Sequence, residues 1–276
     1  MSLRQRIGAD IGGRMAVEAG IAWAVANDIR HIDVQIDVAP NALESFDDAR
    51  SARVREACEE HGVELGLHTL SAVNIAEFSP HLREAADAYL AGYIEAGARL
   101  GAHHIEVHAG YHFTADRERR MEASLERLQR AADRAQRAGQ TLLLENMNWE
   151  PDRAEVHYLG HNVEECLYYF DRIGGEHFKW AFTVNHATLV PEGIDGFLDA
   201  MPTNRLGVVR LADNHGQYEL HMFPGEGIVD FAHVFRRIEG LGYRGHYMAA
   251  FGSLEDRVRG RDVMLDLARA GGFDPD

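Results

Sequence analysis

The chain has 276 residues, 28 of them Lys or Arg and 44 Asp or Glu, which gives a formal net charge of −16. That length fits two ordinary domains or one barrel of about 250 residues, and an apolar content of 46% excludes wholesale disorder. The acidic balance argues against a protein that grips nucleic acid, because that affinity comes mainly from neutralising phosphates.

Lys179 is the only lysine, so a Schiff base or lysine general base has a single candidate. Cys58 and Cys166 lie far apart in helical patterns and form neither a CxxC pair nor a disulfide framework, so a reducing cytoplasm is expected. The first residues, MSLRQRIGAD, hold no apolar signal region, and no stretch is apolar enough to span a membrane. A soluble protein that is not exported is therefore expected.

Eight short apolar runs follow one another along the chain, at 7–11, 32–38, 63–70, 104–108, 141–145, 180–184, 206–211 and 247–251. Most are bounded by Gly or polar turn residues, as strands are. Amphipathic stretches separate them. Leu82, Ala86, Tyr89, Tyr93, Gly97 and Leu100 trace one helical face before the fourth run. Met121, Leu125, Leu128, Ala132 and Ala135 trace another before the fifth. Gly62, Gly101 and Gly139 each sit between a helical pattern and the next run, where a left-handed cap is expected. Strict alternation of eight strands with seven or eight helices predicts an α/β chain forming a single-domain (β/α)8 barrel over residues 1–276. An open doubly wound sheet would call for a Gly-rich phosphate loop, and Asp10-Ile11-Gly12-Gly13-Arg14 lacks that spacing.

In such a barrel, functional residues belong at the C-terminal ends of strands. The second strand ends near Gln35 and Asp37, the third near His68, and the fourth at Glu106 and His108. The fifth ends at Glu145, followed by Asn146 and Asn148, the sixth at Asn185 and His186, and the seventh at Arg210 and Asp213. Glu219 and His221 follow in the loop after the seventh strand. Imidazoles and carboxylates converging from neighbouring strands are what a divalent metal (Zn, Mn or Mg) requires. His68, His108 and Glu145 end three consecutive strands and are the leading ligand set. His103, His104, His112 and His215 read as surface or loop residues. Arg210 reads either as an internal salt bridge to Asp213 or Glu145, or as a clamp for a substrate carboxylate, phosphate or enediolate oxygen. Arg14, Asn148, Trp149 and Asp213 are candidate substrate contacts, with Trp149 a possible stacking wall. Arg117, Arg119 and Arg120 are offset by Asp116, Glu118 and Glu122, so they read as a solvated helix face.

The run His68-Thr69-Leu70-Ser71-Ala72-Val73-Asn74-Ile75-Ala76, with Leu100-Gly101-Ala102 leading to Val107-His108-Ala109-Gly110, resembles the endonuclease IV side of the xylose isomerase-like barrel superfamily. Leu142-Leu143-Leu144-Glu145-Asn146 resembles its metal-bridging glutamate segment. Val184-Asn185-His186-Ala187 is similar to its sixth-strand element, and His221-Met222-Phe223-Pro224-Gly225-Glu226-Gly227 to the segment after the seventh strand. The resemblance covers essentially the whole chain. It implies a (β/α)8 barrel with divalent metals at its C-terminal mouth, among relatives that include sugar isomerases, ketose 3-epimerases, dehydratases and a DNA-repair endonuclease.

The isomerase and epimerase branch takes its ligands as Glu, Asp, His and Glu from the fifth to eighth strands. Here those places fall on Glu145, Thr183, Arg210 and Ala250, so three of the four ligand types are missing. The outer sites remain, as His68, His108 and Glu145, and as His186, His221 and Glu219 in place of an Asp. The resemblance implies an isomerase, epimerase or dehydratase of carbohydrate metabolism, acting on a small sugar-derived or keto-acid substrate by proton transfer through an enediolate. Glu145, Arg210 and Glu219 are the expected catalytic groups. The alternatives are a metal-dependent phosphoesterase and a non-catalytic metabolite-binding barrel. A small-molecule partner is expected, with no nucleic acid or membrane, and self-association remains open.

Overall fold

The computed structural model describes residues 2–150 and 155–275. Eight parallel strands close into a barrel: β1 (Ile7–Gly12), β2 (His31–Val34), β3 (Glu64–His68), β4 (His104–Val107), β5 (Leu142–Glu145), β6 (Phe178–Thr183), β7 (Leu206–Leu211) and β8 (Tyr247–Ala249). All eight apolar runs became strands. Closure is made by β1 against β8, with Ile7, Gly8 and Ala9 opposite Tyr247, Met248 and Ala249.

Helices alternate with the strands on the outside: α1 (Val17–Ala26), α2 (Asp48–His61), α3 (Pro80–Leu100), α4 (Arg117–Arg137), α5 (Val163–Phe170), α6 (Gly193–Ala200), α7 (Phe231–Gly240) and α8 (Leu254–Ala270). Gly62, Gly101 and Gly139 take φ of 62°, 70° and 68°, the left-handed geometry expected of them. The helical stripes face the barrel except at Leu82, in the first turn of α3, which is exposed. Among the described residues no helix is long and apolar enough to cross a membrane.

Most of the core lies between strands and helices, in one large apolar cluster. Inside the barrel the filling is lopsided. Leu143, Ala181, Val208 and Met248 form a small apolar cluster of their own. The part lined by β1–β4, together with Arg210 and His246, holds buried Asp10, His31, Asp33, His104, Glu106 and His108 instead. A barrel interior is ordinarily filled by layers of bulky branched side chains, so this polar half needs a chemical account.

The arginine run on α4 is not the solvated face that was expected. Arg117 donates to Glu165 Oε1 at 2.9 and 2.7 Å, and Arg120 is buried, with Nε 2.8 Å from Asp116. Only Arg119 stays exposed, lying over the Phe78 ring. His104 and His112 are buried rather than superficial, whereas His103 and His215 are exposed.

Candidate functional site

At the C-terminal mouth, His68 and Glu145 end β3 and β5, and His108 follows directly on β4 between them. Strand alternation also turns Glu106 inward, two residues before His108 and on the same face. The His68 and His108 Nε2 atoms lie 3.1 Å apart. Glu145 Oε2 is 3.0 Å from His108 Nε2 and 3.9 Å from His68 Nε2, and Glu106 Oε1 is 3.5 Å from His68 Nε2. These four residues offer one donor atom each within 4.8 Å of one another. Two ligands on a tetrahedral ion at about 2.0–2.1 Å stand about 3.3 Å apart, so the imidazole spacing fits a shared cation.

The surroundings support the same reading. His68 Nδ1 lies 3.1 Å from Asp10 Oδ2, and His108 Nδ1 lies 3.2 Å from Thr69 Oγ1, so the far nitrogens are anchored and Nε2 faces the site. Glu106 Oε1 is buried without a hydrogen-bond partner, a costly state that a cation would relieve. Burial opposes charge on His68, but the Glu106 and Asp10 carboxylates outweigh it and push the ring up to about 9. Burial likewise pushes Glu106 up to about 7, against Arg210 and His68. Burial lowers His108, and burial of Glu145 is outweighed by His108 and His186, so that carboxylate stays well below its usual range.

A second cluster stands beside the first. His186 Nε2 and His221 Nε2 both end on Glu219 Oε1, at 3.0 and 2.8 Å. The opposite nitrogen of His186 faces the Asn146 carbonyl at 2.8 Å, and that of His221 faces the Ala250 carbonyl. A ring flanked by acceptors on both sides is either doubly protonated or shares a cation with the carboxylate. The two imidazoles hold Glu219 far below the usual carboxylate range despite burial, and Glu219 in turn raises His186 against its own burial. Both clusters therefore suit a divalent ion in donor type and in orientation.

The places where the epimerase branch puts its other ligands are filled differently. Thr183 donates its hydroxyl to Glu145 Oε1. The Ala250 carbonyl is spent on His221. Arg210 is 3% exposed and reaches Asp10 Oδ2 at 2.6 Å, Asp33 Oδ2 at 3.1 Å and Glu106 Oε2 at 3.0 Å, with Nε 3.8 Å from Glu145. A guanidinium surrounded by carboxylates stays charged, and these residues hold it above its ordinary value although burial opposes them. Arg210 is thus an internal ion pair, but with Asp10, Asp33 and Glu106 as its close partners. The expectation of a direct clamp on substrate does not suit a side chain buried this way.

Asp213 also departs from expectation. It is fully buried, Oδ2 accepts from the Gly225 and Gly227 backbone, and Oδ1 accepts from Asn214 and Val229. Its carboxylate organises the loop after β7 rather than meeting substrate. The Trp149 ring stacks on His161 at 4.1 Å, which occupies one of the faces a substrate would need, and Asn148 is buried. Arg14 is exposed and lines a cavity of about 750 Å³ at the mouth with Gln35 and Arg257. Asp37 accepts from the Tyr89 and Tyr93 hydroxyls at 2.7 and 2.6 Å. Lys179 lies at the opposite end of the barrel, as expected. Sequence reasoning missed Asp10, Asp33 and His104; each is an ionisable residue in or at the start of a strand whose other residues are largely apolar.

An uncharacterized protein of Methanocaldococcus jannaschii is 22% identical over 220 residues, covering 76% of this chain and 72% of that protein. Among solved structures, a D-tagatose 3-epimerase-like protein superposes with a TM-score of 0.82 at 17% identity, over 96% of this chain and 99% of that one. The D-psicose 3-epimerase from Clostridium cellulolyticum H10, solved with D-tagatose, gives 0.78 at 16% identity, over 96% and 98%. At such identities these likenesses speak for the fold. The sequence pattern of the xylose isomerase-like TIM barrel family matches residues 21–260, nearly the whole of the barrel just described, and the chain belongs to that family.

Proposed function

We propose that the protein is an isomerase- or epimerase-like enzyme that moves a proton next to a carbonyl of a small sugar-derived or keto-acid substrate. The observation that carries this reading is the convergence of His68, His108 and Glu145, with Glu106 below them, on one point at the mouth. These residues would hold a divalent cation, which when bound supplies Lewis-acid polarisation of a substrate oxygen. The epimerase names of the superposing structures support the same class.

With Glu145 assigned as a ligand, Glu219 is the carboxylate left to handle the proton. Its side chain is 31% exposed, and both imidazole contacts fall on Oε1, leaving Oε2 to meet a substrate C–H. His186 and His221 orient it and share its charge. Arg210 acts as a positioning residue, a fixed cation that keeps Asp10 ionised so that Asp10 can hold His68 in place. Arg14, at the rim of the 750 Å³ cavity, would meet an anionic or hydroxyl-rich tail of the substrate.

The test is deuterium exchange in D2O, with ketoses and hydroxypyruvate as probes and detection by NMR at the carbon next to the carbonyl. Exchange should be lost in Glu219→Gln and fall at least about 100-fold in His68→Ala. No exchange with any of these substrates by metal-reconstituted protein would refute the proposal. A second reading rests on the second cluster: two Nε2 atoms aimed at one carboxylate oxygen also suit a second cation, as in metal-assisted phosphate-ester hydrolysis. Turnover of an aryl phosphodiester without ketose exchange would favour it.

A further inference from the structure

The end of the barrel away from the mouth opens into a cavity of about 490 Å³ that the proposed chemistry does not use. That volume lies in the range of small-metabolite sites. Residues just before or at the start of strands build it: His103 before β4, Thr141 before β5, Lys179 in β6, Thr203 and Asn204 before β7, and Arg244 before β8. Among the described residues no Asp or Glu lines it, although the chain holds 44 of them and a net charge of −16.

The chain's single lysine stands in this acid-free cleft. Lys179 interrupts an otherwise buried apolar strand, between Phe178 and Trp180, and is itself only partly exposed. Among the described residues its ammonium makes no hydrogen bond and no ion pair. A cation drawn partly out of water without an acceptor is in a costly state that an anion would relieve. The side chains of Thr141, Thr203 and Asn204 are equally unspent on other described residues.

Arg244 adds a second cation with capacity to spare. Its Nη1 lies 3.0 Å from the Tyr243 carbonyl and 3.5 Å from Glu239 Oε2, an oxygen that already takes Arg6 at 2.7 Å. Leu143 belongs both to the cavity wall and to the small apolar cluster with Ala181, Val208 and Met248 inside the barrel. That cluster stands between the cavity and the mouth.

We propose that this cavity binds a small phosphorylated metabolite, with Lys179 and Arg244 on the phosphate. An ammonium and a guanidinium, joined by hydroxyl and amide donors from separate strand ends, surround a tetrahedral dianion from several sides. A planar carboxylate could use only part of that set. Inorganic phosphate alone would leave much of the space empty, and Leu143, Leu206 and Tyr243 offer a wall to the rest of the ligand. The site does not depend on the chemistry assigned to the mouth.

Because the chain has one lysine, labelling with 13C-lysine places a single Cε signal in the NMR spectrum, at the cavity itself. Titrating the full-length protein with inorganic phosphate or with glucose 6-phosphate should shift that signal saturably, the ester binding more tightly, while glucose leaves it in place. Arg244→Ala, at an exposed position that leaves folding intact, should weaken the ester at least about tenfold on the same signal. Arg14→Ala, at the mouth, should leave the titration unchanged. A Cε signal unmoved by about 10 mM of either phosphate compound would overturn the proposal. So would unaltered affinity in Arg244→Ala, loss of the shift in Arg14→Ala, or malate binding as tightly as the ester.

Discussion

Replacing Arg210 with Met removes the single guanidinium that serves Asp10, Asp33 and Glu106 at 2.6, 3.1 and 3.0 Å inside the barrel. Methionine fills similar space, so the perturbation is electrostatic rather than a cavity. Removing one member of a buried pair costs about 3–5 kcal/mol, because the partner is left charged without compensation. Here three carboxylates are exposed to that loss. Asp10 keeps His68 and the Arg257 side chain, which donates to the Asp10 carbonyl, and Glu106 can take a proton because it already titrates at about 7. Asp33 retains only the His104 imidazole, 3.2 Å away, so the expected cost is about 4–5 kcal/mol at pH 8. For a barrel of this size that lowers Tm by roughly 10 °C or more.

The pH dependence has a definite sign. Without the guanidinium, the folded-state pKa values of Asp33 and Glu106 rise above their unfolded values. The folded variant then binds more protons than its unfolded chain, and its stability falls as pH rises. The gap to wild type, read from urea unfolding at several pH values, should be widest at pH 8 and narrow by more than about 1 kcal/mol by pH 5. Arg210→Lys keeps one charge but cannot span three carboxylates and should fall between. A gap under about 1 kcal/mol at pH 8, or one indifferent to pH, would refute this electrostatic account.

Two further outcomes follow from groups away from the ligands. Glu165 is buried, takes Arg117 on Oε1 and the Gly160 N–H on Oε2, and is held at about 2 by His161 and Arg117 although burial opposes it. Its depressed folded pKa adds stability that is present above about pH 4.5 and lost as pH falls towards 2; Glu165→Gln should therefore cost about 3 kcal/mol at neutral pH and converge with wild type in acid unfolding curves. Asp213→Ala strips the acceptors from four backbone N–H groups in the loop after β7 and should cost about 3 kcal/mol. Limited proteolysis should then cut within residues 214–229, and an intact loop would show that Asp213 does not organise it.

The features legible in sequence were local. Eight apolar runs, glycine caps and strand-end residues each depend on a few neighbouring positions, so the barrel and the set His68, His108 and Glu145 could be read directly. Closure of the barrel creates what could not. Arg210 meets Asp33 and Asp10 across 177 and 200 residues of chain, so of its partners only Glu145, 3.8 Å from Nε, was foreseen, and the nearer Asp213 was misassigned. Asp213 itself follows a strand, a position that suits a substrate contact and a loop organiser equally. Only the four N–H groups it accepts decide between them. Asp33 offered a signal that went unread, a carboxylate inside the run His31-Ile32-Asp33-Val34 where burial demands a cation.

The central claim is that the mouth of this barrel holds a divalent ion on His68, His108 and Glu145. An anomalous difference map at the zinc edge, from crystals of chelator-treated protein reconstituted with Zn2+, tests it most directly. The account predicts a peak bounded by Nε2 of His68, Nε2 of His108 and Oε2 of Glu145, and its disappearance in His108→Ala. A map with well-ordered side chains at those positions and no peak among them would contradict it.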